Sequence, residues 1–153
     1  MKRTLTALTT ALALSACATV PDAPSRGTLP SGPPIVIHND EGGDVIKYSQ
    51  AVMAREASGR RVEISGYCHS ACLMNLGSPN VCIRPGTIFR THTTVRPDGT
   101  VVEQTAGAAH RTLIAFHMPP ALGEWYLTLR AGPTIYHAST ERMVEYGARI
   151  CDD

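Results

Sequence analysis

Aromatic residues are scarce in this chain: two phenylalanines, one tryptophan and five tyrosines among 153 residues. Runs of basic residues are missing as well, and apart from Lys2 the only lysine is Lys47. With neither a basic stripe nor stacking platforms, nucleic acid is excluded as a partner class. Long apolar runs are absent too. The stretch Leu5 to Leu14 falls well short of the ~20 residues a helix needs to span a bilayer.

What is present begins at the N-terminus. Lys2 and Arg3 precede the uncharged Leu5–Leu14 stretch, and Leu14-Ser15-Ala16-Cys17 follows. A basic start, a short apolar run and small residues have the layout of a secretory signal. The cysteine after them resembles the bacterial lipobox, in which the cysteine becomes the lipidated N-terminus. The plainer reading is an ordinary signal cleaved near Ala16 or Ala18. The expected organisation is a signal over 1–16, a tether over 17–34 and a single domain over 35–153. Residues 18 to 34 hold five prolines, which suits an extended tether. Ala18 in place of an aspartate points the anchor toward the outer membrane. Without Lys2 and Arg3, 12 basic residues face 13 acidic ones, so no strongly charged partner is implied.

Cys68, Cys72, Cys82 and Cys151 remain once Cys17 is set aside. An even number in an exported chain implies two disulfides, with three pairings open. The expectation favours Cys72–Cys82 with Cys68–Cys151. A metal site using His69 or His92 is the competing reading. Cys-x3-Cys followed by a lone cysteine lacks the paired spacing of a zinc knuckle, so neither metal nor cofactor is expected.

Ile35-Val36-Ile37 reads as a strand, and Asn39 to Gly43 as the turn that ends it. Asp44 to Ser58 has helical periodicity and is closed by Gly59. Val62-Glu63-Ile64 is a second strand, followed by a helix over Ser70 to Leu76. Val81–Ile83 and Thr87–Arg90 are further strands. Arg96-Pro97-Asp98-Gly99 predicts a β-hairpin. Ala106–His117, Leu122–Leu129 and Thr140–Gly147 read as helices, the last capped by Ser139. Strands alternating with helices indicate an α/β fold with a parallel sheet. The turns at Gly42-Gly43 and Cys68–Cys72 then emerge at the carboxyl edge, where such sheets place their sites. A serine at a helix start has amides nearby that can hold an oxyanion.

Four segments in order carry a resemblance. Asn39-Asp40-Glu41-Gly42-Gly43-Asp44-Val45 is similar to the Asn-Ser-Pro-Gly-Gly-x-Val turn of the Clp protease proteolytic subunits, which belong to the crotonase-like superfamily. Cys68-His69-Ser70-Ala71-Cys72 resembles the Cys-x-Ser-Ala-Cys nucleophile turn of their exported relatives. Arg84 to His92 is similar to the stretch that delivers the family's histidine, and Thr140 to Gly147 to its Ala-x-Glu-Tyr-Gly close. The resemblance covers about residues 35 to 150 and implies a small crotonase-like parallel sheet that lacks the first strand–helix unit.

It also implies roles. Ser70 would be the nucleophile, His92 its base, and the amides of Gly43 and Ala71 the oxyanion hole. The family's acidic third member falls at Ile135, where this chain has no carboxylate. Arg90 and Thr91 stand where relatives carry a small or apolar pair. Thr105 to Leu129 matches an oligomerising insertion, or else Trp125 and Tyr126 simply fill the core. Two functions follow. One is a lipid-anchored periplasmic serine hydrolase acting on a peptide or small acyl substrate, with self-association a further expectation. The other is a non-catalytic lipoprotein that uses the same scaffold for binding or assembly.

Overall fold

The computed structural model describes residues 32–93, 104–132 and 134–152. The lipobox-like start, most of the proline-rich segment and the expected hairpin around Arg96–Gly99 lie outside the described residues. The elements run β1 (Ile35–Asp40), α1 (Val45–Ala57), β2 (Val62–His69), a 3-10 segment (Ser70–Gly77), β3 (Val81–Ile83), β4 (Ile88–Thr91), α2 (Gln104–Phe116), α3 (Pro120–Thr128), β5 (Tyr136–Ala138) and α4 (Thr140–Glu145). Local chemistry sets several boundaries. The Asp44 carboxylate accepts from the Lys47 amide at 2.9 Å and opens α1, satisfying one of the amides a helix start leaves free. Ser139 does the same for α4 through the Arg142 amide. Pro120 occupies the first turn of α3, where its missing N–H costs nothing.

β2 is the central strand. β1 pairs with it in parallel on one side. On the other side β3 runs beside Val62–Ile64 and β4 beside Tyr67–His69, both parallel. β5 is antiparallel to β4. The protein is therefore an α/β fold with a mixed sheet and flanking helices. The parallel arrangement expected from the sequence holds for β1 to β4, and β5 departs from it.

Side chains alternate across the pleat. Val62, Ile64 and Cys68 of β2 and Phe89 of β4 point into one core with Val52, Leu73, Met74, Ile114, Leu122 and Tyr126. Tyr126 belongs to this core, as one of the two readings of its segment held, while the Phe116 ring is 80% exposed. The opposite sheet face carries Val36, His38, Tyr67, Ile88 and Arg90, none of them buried.

The cysteines pair as Cys68–Cys72 and Cys82–Cys151, which corrects the favoured pairing Cys72–Cys82 with Cys68–Cys151. The sheet register gives the reason. Cys82 lies opposite Glu63, and Cys68 is five residues further along the same strand, about 16 Å at the usual rise. The turn after β2 instead brings Cys68 and Cys72 to a Cα separation of 5.4 Å. Cys151 reaches Cys82 because Ile150 bridges to Ile83 and the Cys151 amide donates to the Ile83 carbonyl at 3.0 Å. The helix expected over Ser70 to Leu76 is a 3-10 helix over Ser70–Gly77.

Peptide mapping of the unreduced protein should recover Cys68 linked to Cys72 and Cys82 linked to Cys151. The second bond spans 69 positions of sequence, so the double variant Cys82→Ala/Cys151→Ala should lose roughly 2–4 kcal/mol in a urea melt.

Candidate active site

The turns after β1 and β2 meet at the carboxyl edge of the sheet. Gly42 has φ +80°, a backbone state that L side chains rarely adopt. A Cβ placed there would stand 2.6 Å from the His69 carbonyl oxygen and 2.7 Å from the Ala71 nitrogen. Only a residue with no side chain lets the two turns touch. The approach is held by Asp40. One of its carboxylate oxygens accepts from the Gly42 amide at 2.6 Å and the other from the Tyr48 hydroxyl at 2.6 Å. The Asn75 amide group donates to the Tyr48 oxygen and to the Cys72 carbonyl, which connects the glycine turn to the serine segment. Burial, and then the Asp40 carboxylate, push the Tyr48 phenol far up, so it stays a donor at any working pH.

Ser70 follows β2 directly and has φ +50°. A non-glycine residue in this region costs on the order of 1–3 kcal/mol and persists where the surroundings over-determine it. Here they do: the Cys68–Cys72 disulfide brackets the serine and Gly42 backs it. The Gly42 amide is committed to Asp40, but among the described residues neither the Gly43 nor the Ala71 amide takes part in a turn or loop hydrogen bond. The two sequence-predicted oxyanion donors therefore flank the serine turn uncommitted.

Ser70 and His92 line the same cleft, of about 260 Å³, with Glu41, His69, Arg90 and Ile135. Among the described residues no hydrogen bond joins Ser70 to His92. The histidine is nonetheless fixed. Its carbonyl accepts from the Tyr126 hydroxyl at 3.5 Å, and the Thr93 hydroxyl next to it accepts from the Gly132 amide at 2.7 Å. His92 Nδ1 lies 2.7 Å from the Thr93 carbonyl oxygen. A carbonyl only accepts, so Nδ1 carries the hydrogen and Nε2 is left with a lone pair. That is the tautomer a general base needs, and a backbone oxygen imposes it without a carboxylate. The Asp44 carboxylate caps α1, and Glu103 lies outside the described residues.

Sequence reasoning missed a second histidine with a carboxylate. His69 Nδ1 pairs with Glu41 at 2.7 Å, and its ring stacks on Tyr67 at 4.6 Å. Hydrogen bonds from His69 and then Tyr67 hold the Glu41 carboxyl below the usual carboxylate range. Glu41 is 70% exposed, so solvent screens the pair and its contribution to stability is small. A bulge between His38 and Asp40 shifts the register so that Asp40 lies beside Cys68, and nothing in the sequence signalled that shift.

No protein-family model matches this chain, and no curated protein matches it. The site is therefore read from its geometry.

A part-buried serine–histidine contact lies elsewhere, between α1 and the end of α2. Ser49 Oγ and His117 Nε2 are 2.7 Å apart, beside a cavity of about 340 Å³ that Met53 and Phe116 also line. The serine sits inside α1, and the nearby amides are committed: Gly77 donates to the His117 carbonyl and Ser78 to Asn75. With both of these amides committed, the pair acts as a tie between α1 and the end of α2. As to metals, the one group of three potential ligands among the described residues is Glu63, Cys82 and Cys151. Its two cysteines form a disulfide, and its carboxylate is held by Arg61 and Arg84.

Gly42→Ala should cost about 2 kcal/mol in a urea melt, because it adds a backbone clash to an unfavourable φ. Gly86 has φ +81° with open space around it, so Gly86→Ala should cost about half as much. Equal losses would show that the close approach at Gly42 carries no special weight. Burial lowers the His117 pKa, so as pH falls the unfolded chain binds that proton first. The stabilising share of neutral His117 is full above about 6.5 and declines below it. His117→Gln should therefore lose less stability than the wild type between pH 7.5 and 5.5, measured by denaturation midpoints.

Proposed function

We propose that this protein is a lipid-anchored periplasmic serine hydrolase built on a small crotonase-like domain, with Ser70 as nucleophile and His92 as base. One observation carries the reading: a strained serine and a histidine already in its basic tautomer face one cleft, and a glycine turn backs the serine. Ile135 supports the likeness to the Clp protease subunits, since the position where the family carries its acid lines this same cleft. The anchor rests on the lipobox-like Leu14–Cys17.

The chemistry follows from the groups present. His92 Nε2 takes the Ser70 hydroxyl proton as Oγ bonds to the acyl carbon. The carbonyl electron pair moves to oxygen, where the amides of Gly43 and Ala71 receive the developing charge. The leaving group departs with the proton from His92. Water, deprotonated by the same nitrogen, then releases the acid and restores Ser70. The Thr93 carbonyl orients the imidazole but carries no full charge, so it stabilises the imidazolium less than a carboxylate does. Turnover should be slow by the standard of complete triads. The non-catalytic reading draws on the lack, among the described residues, of a hydrogen bond between Ser70 and His92 and of a carboxylate on that histidine.

A fluorophosphonate probe should label the wild-type protein, and Ser70→Ala should abolish labelling. His92→Ala should slow it by about 10²-fold or more. Equal labelling of wild type and Ser70→Ala, or none of a folded wild type, would favour the non-catalytic reading.

A further inference from the structure

Among the described residues, the cleft contains a cation with no hydrogen-bond or ion-pair partner. Arg90 lies in β4 between two histidines, since its Cα pairs with His69 of β2 and with His137 of β5. Residues opposite each other in a sheet point to the same face. His69, Arg90 and His137 therefore form one cross-strand row, beside Ser70 and His92. The row contains no acid. The carboxylate that lines the cleft, Glu41, is committed to His69 and Tyr67, and Arg90 is the smallest of the influences acting on it. Among the described residues neither Arg90 nor His137 makes a side-chain hydrogen bond or ion pair. The guanidinium is exposed, with all five donors open.

We infer that Arg90 is the specificity residue of this cleft and receives a free carboxylate on the acyl substrate, with His137 alongside it. The inference rests on the hydrolase reading of the same cleft. Three features select this ligand. A guanidinium fork matches a planar carboxylate through two parallel hydrogen bonds. The row holds a single guanidinium, whose one charge balances one carboxylate better than a dianionic phosphate. The cleft, at about 260 Å³, lies at or below the range of about 300–1,000 Å³ typical of ligand pockets, which favours a short acyl group over an extended peptide. The substrate is then a short acyl chain with the scissile carbonyl at Ser70 and a carboxylate a few atoms away at Arg90.

The test compares two p-nitrophenyl esters of equal length on the full chain: the glutarate monoester, which bears a carboxylate, and the neutral valerate. Wild-type kcat/KM should favour the glutarate ester by about tenfold. Arg90→Met should erase that ratio, Arg90→Lys should recover part of it, and Arg90→Glu should invert it. A second readout needs no turnover. Glutarate should give saturable shifts of the His137 imidazole proton signals in wild type and none in Arg90→Met. Turnover of both esters with no preference, together with no glutarate shifts, overturns the inference and leaves the hydrolase reading intact. Saturable glutarate binding without turnover of either ester sinks the hydrolase reading and keeps the carboxylate site. Shifts that persist unchanged in folded Arg90→Met place the carboxylate elsewhere and overturn the assignment.

Discussion

The site depends on a side chain that is not there. Gly42 lets the turn after β1 rest against the His69 carbonyl and the Ala71 amide, and that contact fixes the two turns relative to each other. Neither would hold its shape alone. The first contains Asn39 at φ +54° and two glycines, and the second contains Ser70 in a region serine seldom occupies. Asp40 closes the first turn from below, the Cys68–Cys72 disulfide pins the second, and the Tyr48–Asn75 bridge joins them. Each strained residue is held by a neighbour that is itself held, and local strain survives in a folded protein on that condition.

The regular elements were largely legible in the sequence because their signals are local. Apolar runs mark β1 and β3, and Asp44 and Ser139 mark the starts of α1 and α4. β5 was missed because Tyr136–Ala138 is too short to show alternation. The true disulfide partners were hidden for a different reason. Cysteine spacing records distance along the chain, whereas pairing depends on which strand lies beside which. Cys151 meets Cys82 only because the last residues run along β3.

The site shows the same division. Ser70, His92 and position 135 were found from order along the chain, and all three line one cleft. The group that orients His92 was invisible to a search by residue type, since it is the carbonyl of Thr93, an oxygen every residue has. Asp40 and Glu41 read in sequence as hydrophilic turn residues. In the fold one organises the backbone and the other binds a histidine. Arg90 stood out only as a departure from a pattern, and its meaning appears once β2 and β5 are known to flank it.

The Cys82–Cys151 bond also fixes where the last described residues lie. Cys82 sits opposite Glu63, near the start of β2, and Arg61 at that same end donates to the Asp152 carbonyl. Arg60, its neighbour, donates to the Pro33 carbonyl just ahead of β1. The first and last described residues thus lie at one pole, the amino end of the strands. Ser70 and His92 lie at the other, about 23 Å away along β2 at the usual strand rise. A pull applied at Pro33 or Asp152 therefore acts on the side of the domain away from the cleft.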